Sequence, residues 1–115
     1  MESLKKNKDF SLVYRRGKSI ANRQLVLYVY KNGLEKNRVG ISVSKKVGNS
    51  VVRHRLTRLV RESYRLHEHE FVGGADLVVI VRPCAKESDF FTVERALLSL
   101  MKRAGIMNTQ GVMSE

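Results

Sequence analysis

The sequence predicts an α/β fold, a two-layer sandwich in which helices cover one mixed sheet. Two observations lead to this class. Segments with helical and with strand-like hydrophobic patterns alternate along the 115-residue chain, and the most apolar segment, 76–82, lacks the polar alternation of a strand with one face in water. Hydrophobic residues make up 43% of the chain, enough for one packed domain. We expect that domain to span 1–105 and a flexible tail to follow over 106–115.

The first predicted helix covers 7–16, where apolar residues fall at helical spacing. Asn7 is a candidate N-cap residue, and Gly17 follows at a position where helices commonly end. A short strand is expected next, near 19–22, so that the complete predicted order is α-β-β-β-α-β-α.

Two further strands are predicted over 23–31 and 38–44, because both segments are rich in β-branched or aromatic residues and place apolar residues at every second position. The Asn32-Gly33 pair between them is a turn signal, so we expect a hairpin. One face of the second strand is small and polar, which suits the close approach of a ligand or of packed backbone. That face consists of Gly40, Ser42 and Ser44.

The longest helical pattern runs over about 50–70 and leads to the apolar strand. Because a helical crossover returns the chain in the same direction, the apolar strand should pair parallel to 38–44. The last helix is expected over 88–104, with Ser88 or Asp89 as its cap.

The charge of the chain is concentrated in its first part. The whole sequence carries 22 Lys and Arg against 11 Asp and Glu, a net charge of +11. Residues 1–66 hold 17 basic and 4 acidic residues, whereas 67–115 hold 5 and 7. Charge that served solubility alone would be scattered, so this concentration predicts a basic face for a polyanionic partner. A solvated basic surface is the alternative.

The composition also limits the cellular setting. The single cysteine, Cys84, excludes an internal disulfide and a cysteine-based zinc site. The longest apolar run, 77–81, is too short to cross a membrane, and the charged segment 1–9 has no apolar signal core. We therefore expect a reduced, cytoplasmic, soluble protein with no membrane partner.

The long helix predicts a surface for phosphates. At 100° per residue, one arc of the helix is apolar, and the opposite arc carries five arginines with Glu62 as its acidic interruption. Arginines three or four residues apart repel each other, which is tolerable where phosphates neutralise them. The apolar arc consists of Val52, Leu56, Leu59, Val60 and Leu66. The basic arc consists of Arg53, Arg55, Arg58, Arg61 and Arg65.

The turn before this helix is a further candidate anion site. Lys45 and Lys46 precede Asn49 at the helix N-terminus, where free N–H groups and the helix dipole favour an anion. An ordinary capped turn is the alternative.

Aromatic residues predict a different kind of contact. Phe10 and Tyr14 lie one helical turn apart among basic residues, and Tyr28 and Tyr30 share one face of a strand. Aromatic rings beside cations form stacking platforms for unpaired bases. A core role is the alternative for Phe10.

The sequence contains no recognisable catalytic or metal-binding constellation. Metal-dependent RNA cleavage needs converging carboxylates, and the acidic residues are scattered. His67 and His69 are two residues apart and diverge on a helix, and His54 has no partner at a useful spacing. Cys84 has no local partner either, so a small buried residue is its expected role.

Several motifs in this order resemble the bacterial ribonuclease P protein subunit, over about residues 4 to 105. The most specific part of the resemblance lies between Val39 and Arg61. The matching segments are Asp9-Phe10, Tyr14 to Gly17, Ala21 to Tyr28, Arg38 to Asn49, and Arg53-His54-Arg55 with Arg58 and Arg61.

The resemblance implies a left-handed β-α-β crossover around the long helix and two RNA partners. The arginine-rich helix and the turn before it would bind a catalytic RNA subunit, through Arg53, Arg55, Arg58, Arg61, Arg65, Lys45, Lys46 and Asn49. The cleft between the first helix and the sheet would hold the single-stranded 5′ leader of precursor tRNA, through Phe10, Tyr14, Tyr28, Arg15, Lys18 and Arg23. Catalytic Mg²⁺ would belong to the RNA subunit, and no DNA partner is implied.

The sequence departs from the family pattern at three positions. His54 stands at the centre of a motif that is usually Arg-Asn-Arg, Thr57 replaces a commonly basic residue, and Tyr14 stands where phenylalanine is frequent. Two other functions fit part of the sequence. One is a ribosomal-protein-like RNA-binding module without a linked reaction, and the other is a stand-alone nuclease that uses the histidines.

Overall fold

The structure is a computed structural model that describes residues 1–107, so most of the predicted tail, 108–115, lies outside the described residues. Its helices and strands agree closely with the predicted order. They are β1 (Glu2–Ser3), α1 (Asn7–Arg16), β2 (Lys18–Ala21), β3 (Leu25–Lys31), β4 (Arg38–Ser42), α2 (Ser50–His67), β5 (Ala75–Val81) and α3 (Phe90–Arg103). Single 3₁₀ turns follow α2 and β5, at Glu68–Glu70 and Pro83–Ala85.

The strands form one mixed sheet in the order β1-β4-β5-β3-β2. β5 pairs parallel to β4 across α2, as the crossover argument predicts, and antiparallel to β3. β2 is an antiparallel edge strand beside β3. The strand β1 was not predicted, because two polar residues carry no hydrophobic pattern; it pairs parallel to β4 at the other edge. The predicted α/β class with a single mixed sheet is confirmed.

The predicted hairpin between β3 and β4 is wrong. β5 lies between these strands, so that Leu27 and Ile41 both pair with Val79 rather than with each other. The Asn-Gly turn does form, with Gly33 at φ 74°, but it opens into a loop wide enough to span the intervening strand. Every residue of β5 except Ile80 is buried. A strand with two apolar faces is best accommodated at the centre of a sheet, and this non-local preference overrides the local turn signal.

Helices cover the two faces of the sheet unequally. Leu25 and Leu27 face the core under α2 and α3, and neither is exposed to solvent. On the other face, Val13 of α1 packs against Val78, with Tyr28 beside them. The predicted alternation of side chains along β3 is therefore confirmed. α1 adds a partial third layer, which the two-layer description did not include.

The ends of α1 differ from their predicted form. Lys6, not Asn7, occupies the N-cap position, and no side chain caps this helix. Gly17 follows the helix in extended conformation at φ −79° rather than in the left-handed region. A Cβ atom at Gly17 would lie 2.6 Å from the carbonyl oxygen of Val13 and 2.8 Å from that of Val29. Glycine is required there because helix and strand backbones approach closely.

The end of the domain lies further along the chain than predicted. Asp89 caps α3 by accepting a hydrogen bond from the Thr92 N–H at 2.8 Å, and Gly105 follows the helix with φ 75°. Ile106 is then buried, and Met107 forms a β-bridge with Phe71. The packed domain thus includes two residues that were assigned to the tail. No helix within residues 1–107 is long and apolar enough to cross a membrane.

Candidate nucleic-acid interface

The buried side of α2 is narrower than the predicted apolar arc. Leu56, Val60 and Tyr64, spaced four residues apart, are at most 1% exposed and face the sheet and α3. Leu66 was predicted on this arc but is 57% exposed, because it lies on the far side of the arc from Tyr64. Leu66 therefore belongs to the exposed side of the helix.

Arg53 does not belong to the exposed basic arc. It lies near the line of Leu56 and Val60, is half-buried, and its Nε atom is enclosed without a hydrogen-bond partner among the described residues. The helical projection placed Arg53 at the margin of the apolar arc, and in the structure it lies on the partly buried side of that margin. A direct phosphate contact by Arg53 remains a prediction, from a less accessible position than its four companions.

Arg55 is exposed but already engaged within the protein. Its guanidinium donates to the carbonyl oxygens of Ser88 at 2.9 Å and Lys86 at 2.6 Å. These contacts fasten the segment between β5 and α3 to the first turns of α2. Arg55 therefore has a structural role that sequence reasoning missed, since its partners are backbone atoms more than thirty residues away.

The three remaining arginines and His54 form one straight row on the outer side of α2. His54, Arg58, Arg61 and Arg65 follow the spacing 4-3-4 of a single helix stripe, and all four are exposed. We call these four residues the basic row. No ion pair joins them to any of residues 1–107, although Glu62 lies on the same helix. A depression of about 440 Å³ at the start of the row is lined by Ser50, Val51, His54, Arg55 and Arg58.

The turn before α2 fits both predicted interpretations, an anion site and an ordinary capped turn. Lys45 and Lys46 are exposed, while Val47 is 2% exposed and anchors the turn. Asn49 is the N-cap, and its side-chain oxygen accepts from the Val52 N–H at 3.0 Å. The turn is thus an ordinary capped helix start that also presents two lysines at the positive end of the helix dipole.

Aromatic side chains gather on the opposite face of the sheet. The rings of Phe10 and Tyr14 are 6.5 Å apart, and Tyr14 meets the edge of Tyr28 at 5.1 Å. The Phe10 ring covers Gly40 so closely that a Cβ atom there would overlap it. The small face predicted for β4 thus accommodates a side chain of α1. Tyr14 keeps 40% of its surface exposed, so its ring remains open to a ligand.

The aromatic cluster borders a groove between α1 and the sheet. We call it the aromatic groove; it has a volume of about 410 Å³. It is lined by Asn7, Phe10, Ser11, Tyr14, Ile41 and Ser42. Four of these residues form one stripe of α1, which is the wall of the groove. The groove is open to solvent.

The three basic residues predicted to serve this groove are placed in different positions. Arg15 is exposed in the last turn of α1, and Arg23 is exposed in the turn before β3. Lys18, however, pairs across β2 with Val29, which faces the core under α2 and α3. Because directly paired residues point to the same side of a sheet, Lys18 starts on the face opposite the aromatic groove. The grouping of Lys18 with the groove residues is therefore wrong.

One buried ion pair was also missed. Arg38 donates to both carboxylate oxygens of Asp76, at 2.8 and 2.6 Å, and Asn32 donates to the same group at 2.8 Å. Burial opposes ionisation of Asp76, but these hydrogen bonds outweigh it, and the pKa of the carboxyl lies below its ordinary value. A lone aspartate in an apolar strand is the signal that could have predicted a cationic partner. Arg38 is consequently unavailable for RNA.

The three histidines lie at different places along α2 and the turn that follows it. His67 contacts Glu70 and Glu94, each at 2.8 Å, and joins the end of α2 to α3. Its hydrogen bond to Glu94, with help from Glu70 and against partial burial, raises the pKa of His67. Cys84 is exposed beside the carbonyl of Arg23, so its predicted burial is wrong. Within residues 1–107, no three His, Cys, Asp or Glu side chains are arranged to hold a metal ion.

The sequence and the fold both match one group of known proteins. The sequence model of the family described as Ribonuclease P matches residues 1–105. The Ribonuclease P protein component of Alkaliphilus metalliredigens is 50% identical over 105 residues, covering 91% of this chain and 95% of that protein. The component of Clostridium botulinum strain Langeland is 53% identical over 106 residues, with 91% and 96% covered.

Solved structures lead to the same group. The RNase P protein of Staphylococcus aureus superimposes with a TM-score of 0.87 at 38% identity, over 94% of this chain and 99% of that one. The protein from Thermotoga maritima gives a TM-score of 0.83 at 38% identity, over 90% and 97%. The α/β architecture described above is therefore shared with experimentally determined structures.

Proposed function

The chain belongs to the ribonuclease P protein family, and from this premise we propose that it is the protein subunit of a ribonucleoprotein endonuclease that removes the 5′ leader of precursor tRNA. The observation that carries the proposal is the separation of two unlike surfaces. The basic row lies on α2, and the aromatic groove lies on the opposite face of the sheet. A protein between two RNA strands of different structure needs two such surfaces.

The basic row supports the binding of a folded catalytic RNA. Arg58, Arg61 and Arg65 are exposed and unpaired within residues 1–107, so their guanidiniums are free to form forked contacts with phosphates. Lys45 and Lys46 extend this positive surface to the start of α2. Phosphate contacts position the protein without reading bases, which suits a partner recognised by its shape.

The aromatic groove supports the binding of a single-stranded leader. Unpaired bases can stack on the exposed ring of Tyr14, and Tyr28 and Phe10 hold that ring in place from below. Arg15 and Arg23 are the cations of the predicted set that remain available for the leader backbone. Stacking tolerates any base, so the groove fits leaders of different sequence.

The residues of this chain bind and orient; they do not move protons or activate water in this proposal. No acid–base pair faces the aromatic groove, whose polar lining consists of Asn7, Ser11, Tyr14 and Ser42. Metal-dependent chemistry is assigned to magnesium ions on the RNA subunit. The cations of the protein would reduce the repulsion between catalytic RNA and substrate, and thereby strengthen the binding of both substrate and magnesium ions. The proposed location of the complex is the cytoplasm.

Reconstitution tests the proposal. We expect the purified protein alone to leave precursor tRNA intact and, together with the catalytic RNA, to restore cleavage at low magnesium concentration. In the assembled complex, precursor tRNA should bind more tightly than mature tRNA, since only the precursor reaches the aromatic groove. Equal affinity for the two tRNAs would instead indicate an RNA-binding module without a linked reaction. Cleavage by the protein alone, lost on replacing the three histidines, would indicate a nuclease.

A further inference from the structure

A third surface of binding character lies at the β2 edge of the sheet, where the ends of α1, β3 and α3 meet the start of β2. We call it the edge groove; its volume is about 620 Å³. Its four cations are Arg16, Lys18, Lys31 and Arg103. Ile20, Val29, Tyr30 and Ala104 complete the lining.

The positive charge of the edge groove is not balanced within the described chain. No carboxylate lines the groove, and none of its four cations takes part in an ion pair within residues 1–107. Arg16 and Arg103 lie in the last turns of helices, where cations stabilise the helix dipole, and Arg103 also donates to the carbonyl oxygen of Ala21 at 3.2 Å. Lys18 and Lys31 lie on strands, so the dipoles do not explain their presence.

The floor of the groove faces the helical layer, while Arg16 of α1 and Tyr30 come from the other face of the sheet. Lys18 and Ile20 pair with Val29 and Leu27 and therefore point to the side of the sheet that α2 and α3 cover. Beyond Val29, β3 continues to Lys31 without β2 beside it. This step in the sheet edge leaves an open notch with an apolar floor and a cationic rim.

We propose that the edge groove binds the phosphodiester backbone of the catalytic RNA subunit, as a contact separate from the basic row. The inference rests on the proposed function and extends it. Four cations from four elements of the fold around an apolar floor suit a ribose–phosphate chain, whose charged and less polar groups alternate. The position of the groove selects the partner. Its floor of Ile20, Val29 and Ala104 lies on the same side of the sheet as α2, whereas the aromatic groove opens on the opposite side.

The test removes the two strand lysines together. In Lys18→Ala/Lys31→Ala, the affinity for catalytic RNA should fall, and the log–log dependence of affinity on salt should flatten by about 1.4 to 1.8, two contacts at the single-strand and duplex coefficients. Lys5→Ala/Lys102→Ala is the matched control, because both lysines are exposed, outside the edge groove and in no ion pair within residues 1–107. The control should keep the wild-type slope, and Lys18→Arg/Lys31→Arg should restore it. Thermal unfolding of all variants verifies the fold.

Two further measurements distinguish the possible outcomes. In the holoenzyme, the preference of Lys18→Ala/Lys31→Ala for precursor over mature tRNA should equal that of the wild type. Loss of this preference with an unchanged salt slope would assign the edge groove to the leader and overturn the inference. Equal salt slopes in Lys18→Ala/Lys31→Ala and in the control variant would also overturn it. Arg58→Ala/Arg61→Ala/Arg65→Ala serves as a reference. If neither the triple arginine variant nor Lys18→Ala/Lys31→Ala changes the salt slope, the proposed function fails. If the triple arginine variant changes the slope and the double lysine variant does not, only the assignment of the edge groove fails.

Discussion

The basic row on α2 and the aromatic groove under α1 achieve accessibility in opposite ways. The row consists of three arginines and a histidine on one helix, none of them in an ion pair with any of residues 1–107. The groove consists of rings that hold one another in place, with Tyr14 left partly exposed between α1 and β3. Exposure of a side chain therefore does not by itself make it part of an interface. Arg55 is as accessible to solvent as its neighbours, yet its donors are engaged by backbone carbonyls.

The largest expected effect comes from removing the charges of the row. Arg58→Ala/Arg61→Ala/Arg65→Ala should flatten the salt dependence of catalytic-RNA binding by roughly 2.1 to 2.7, three contacts at the two standard coefficients. The ratio of precursor to mature tRNA affinity should not change, because the groove lies on the other face. Filter binding across a salt series measures the slope. A triple variant with the wild-type slope would show that the row does not touch RNA.

The reciprocal change removes the exposed ring of the groove. Tyr14→Ala should weaken precursor binding in the holoenzyme by about 1–3 kcal/mol per stacked base, a factor of roughly 5 to 150. Mature tRNA affinity and the salt slope for catalytic RNA should stay as in the wild type. Tyr14→Phe keeps the ring and is the matched control. An equal loss in both variants would point to the hydroxyl rather than to stacking.

A smaller effect is expected from single substitutions of Arg58 and Arg55, which should differ although both lie on α2. Arg58→Ala should flatten the salt slope by about 0.7 to 0.9, one phosphate contact. Arg55→Ala should leave the slope unchanged but lower the melting temperature, because the carbonyls of Lys86 and Ser88 lose their donor. Salt titration and thermal unfolding of both variants measure the difference. The same slope change in both would mean that Arg55 leaves its carbonyl partners and binds phosphate.

The smallest expected effect concerns the link between α2 and α3. The pKa of His67 is raised in the folded protein, so its bonds to Glu94 and Glu70 stabilise the fold fully below the ordinary histidine pKa of 6.5. That stabilisation is lost as pH rises through the folded-state pKa. Glu94→Gln should therefore lower the unfolding free energy more in acidic than in alkaline buffer. Glu87→Gln, at an exposed position outside the ion pairs, should show no such pH dependence.

The elements of the fold were largely predictable from local patterns, but the neighbours of each strand were only partly so. Hydrophobic periodicity located α1, α2 and α3 and the strands β3 to β5, because each buries one face or both. The position of β5 between β3 and β4 depends on pairing between distant segments, and the local Asn-Gly signal could not reveal it. The edge strand β1 is too short to carry any pattern.

The positions of the candidate site residues were likewise only partly predictable from the sequence. The helical projection correctly placed Arg58, Arg61 and Arg65 on the exposed side of α2. It could not show that Arg53 is half-buried, nor that Arg55 is held by carbonyl oxygens of Lys86 and Ser88, since both depend on tertiary packing. Lys18 was assigned to the wrong face because its direction depends on its pairing with β3.

Site-specific cross-linking tests the central claim most directly, namely that the two faces of the sheet contact different RNAs. Photoreactive residues placed at Tyr14 and at Arg61, one in each of two holoenzymes bound to precursor tRNA, report which strand is adjacent. We expect position 14 to cross-link to the 5′ leader and position 61 to cross-link to the catalytic RNA. Cross-linking of both positions to the same RNA would contradict it.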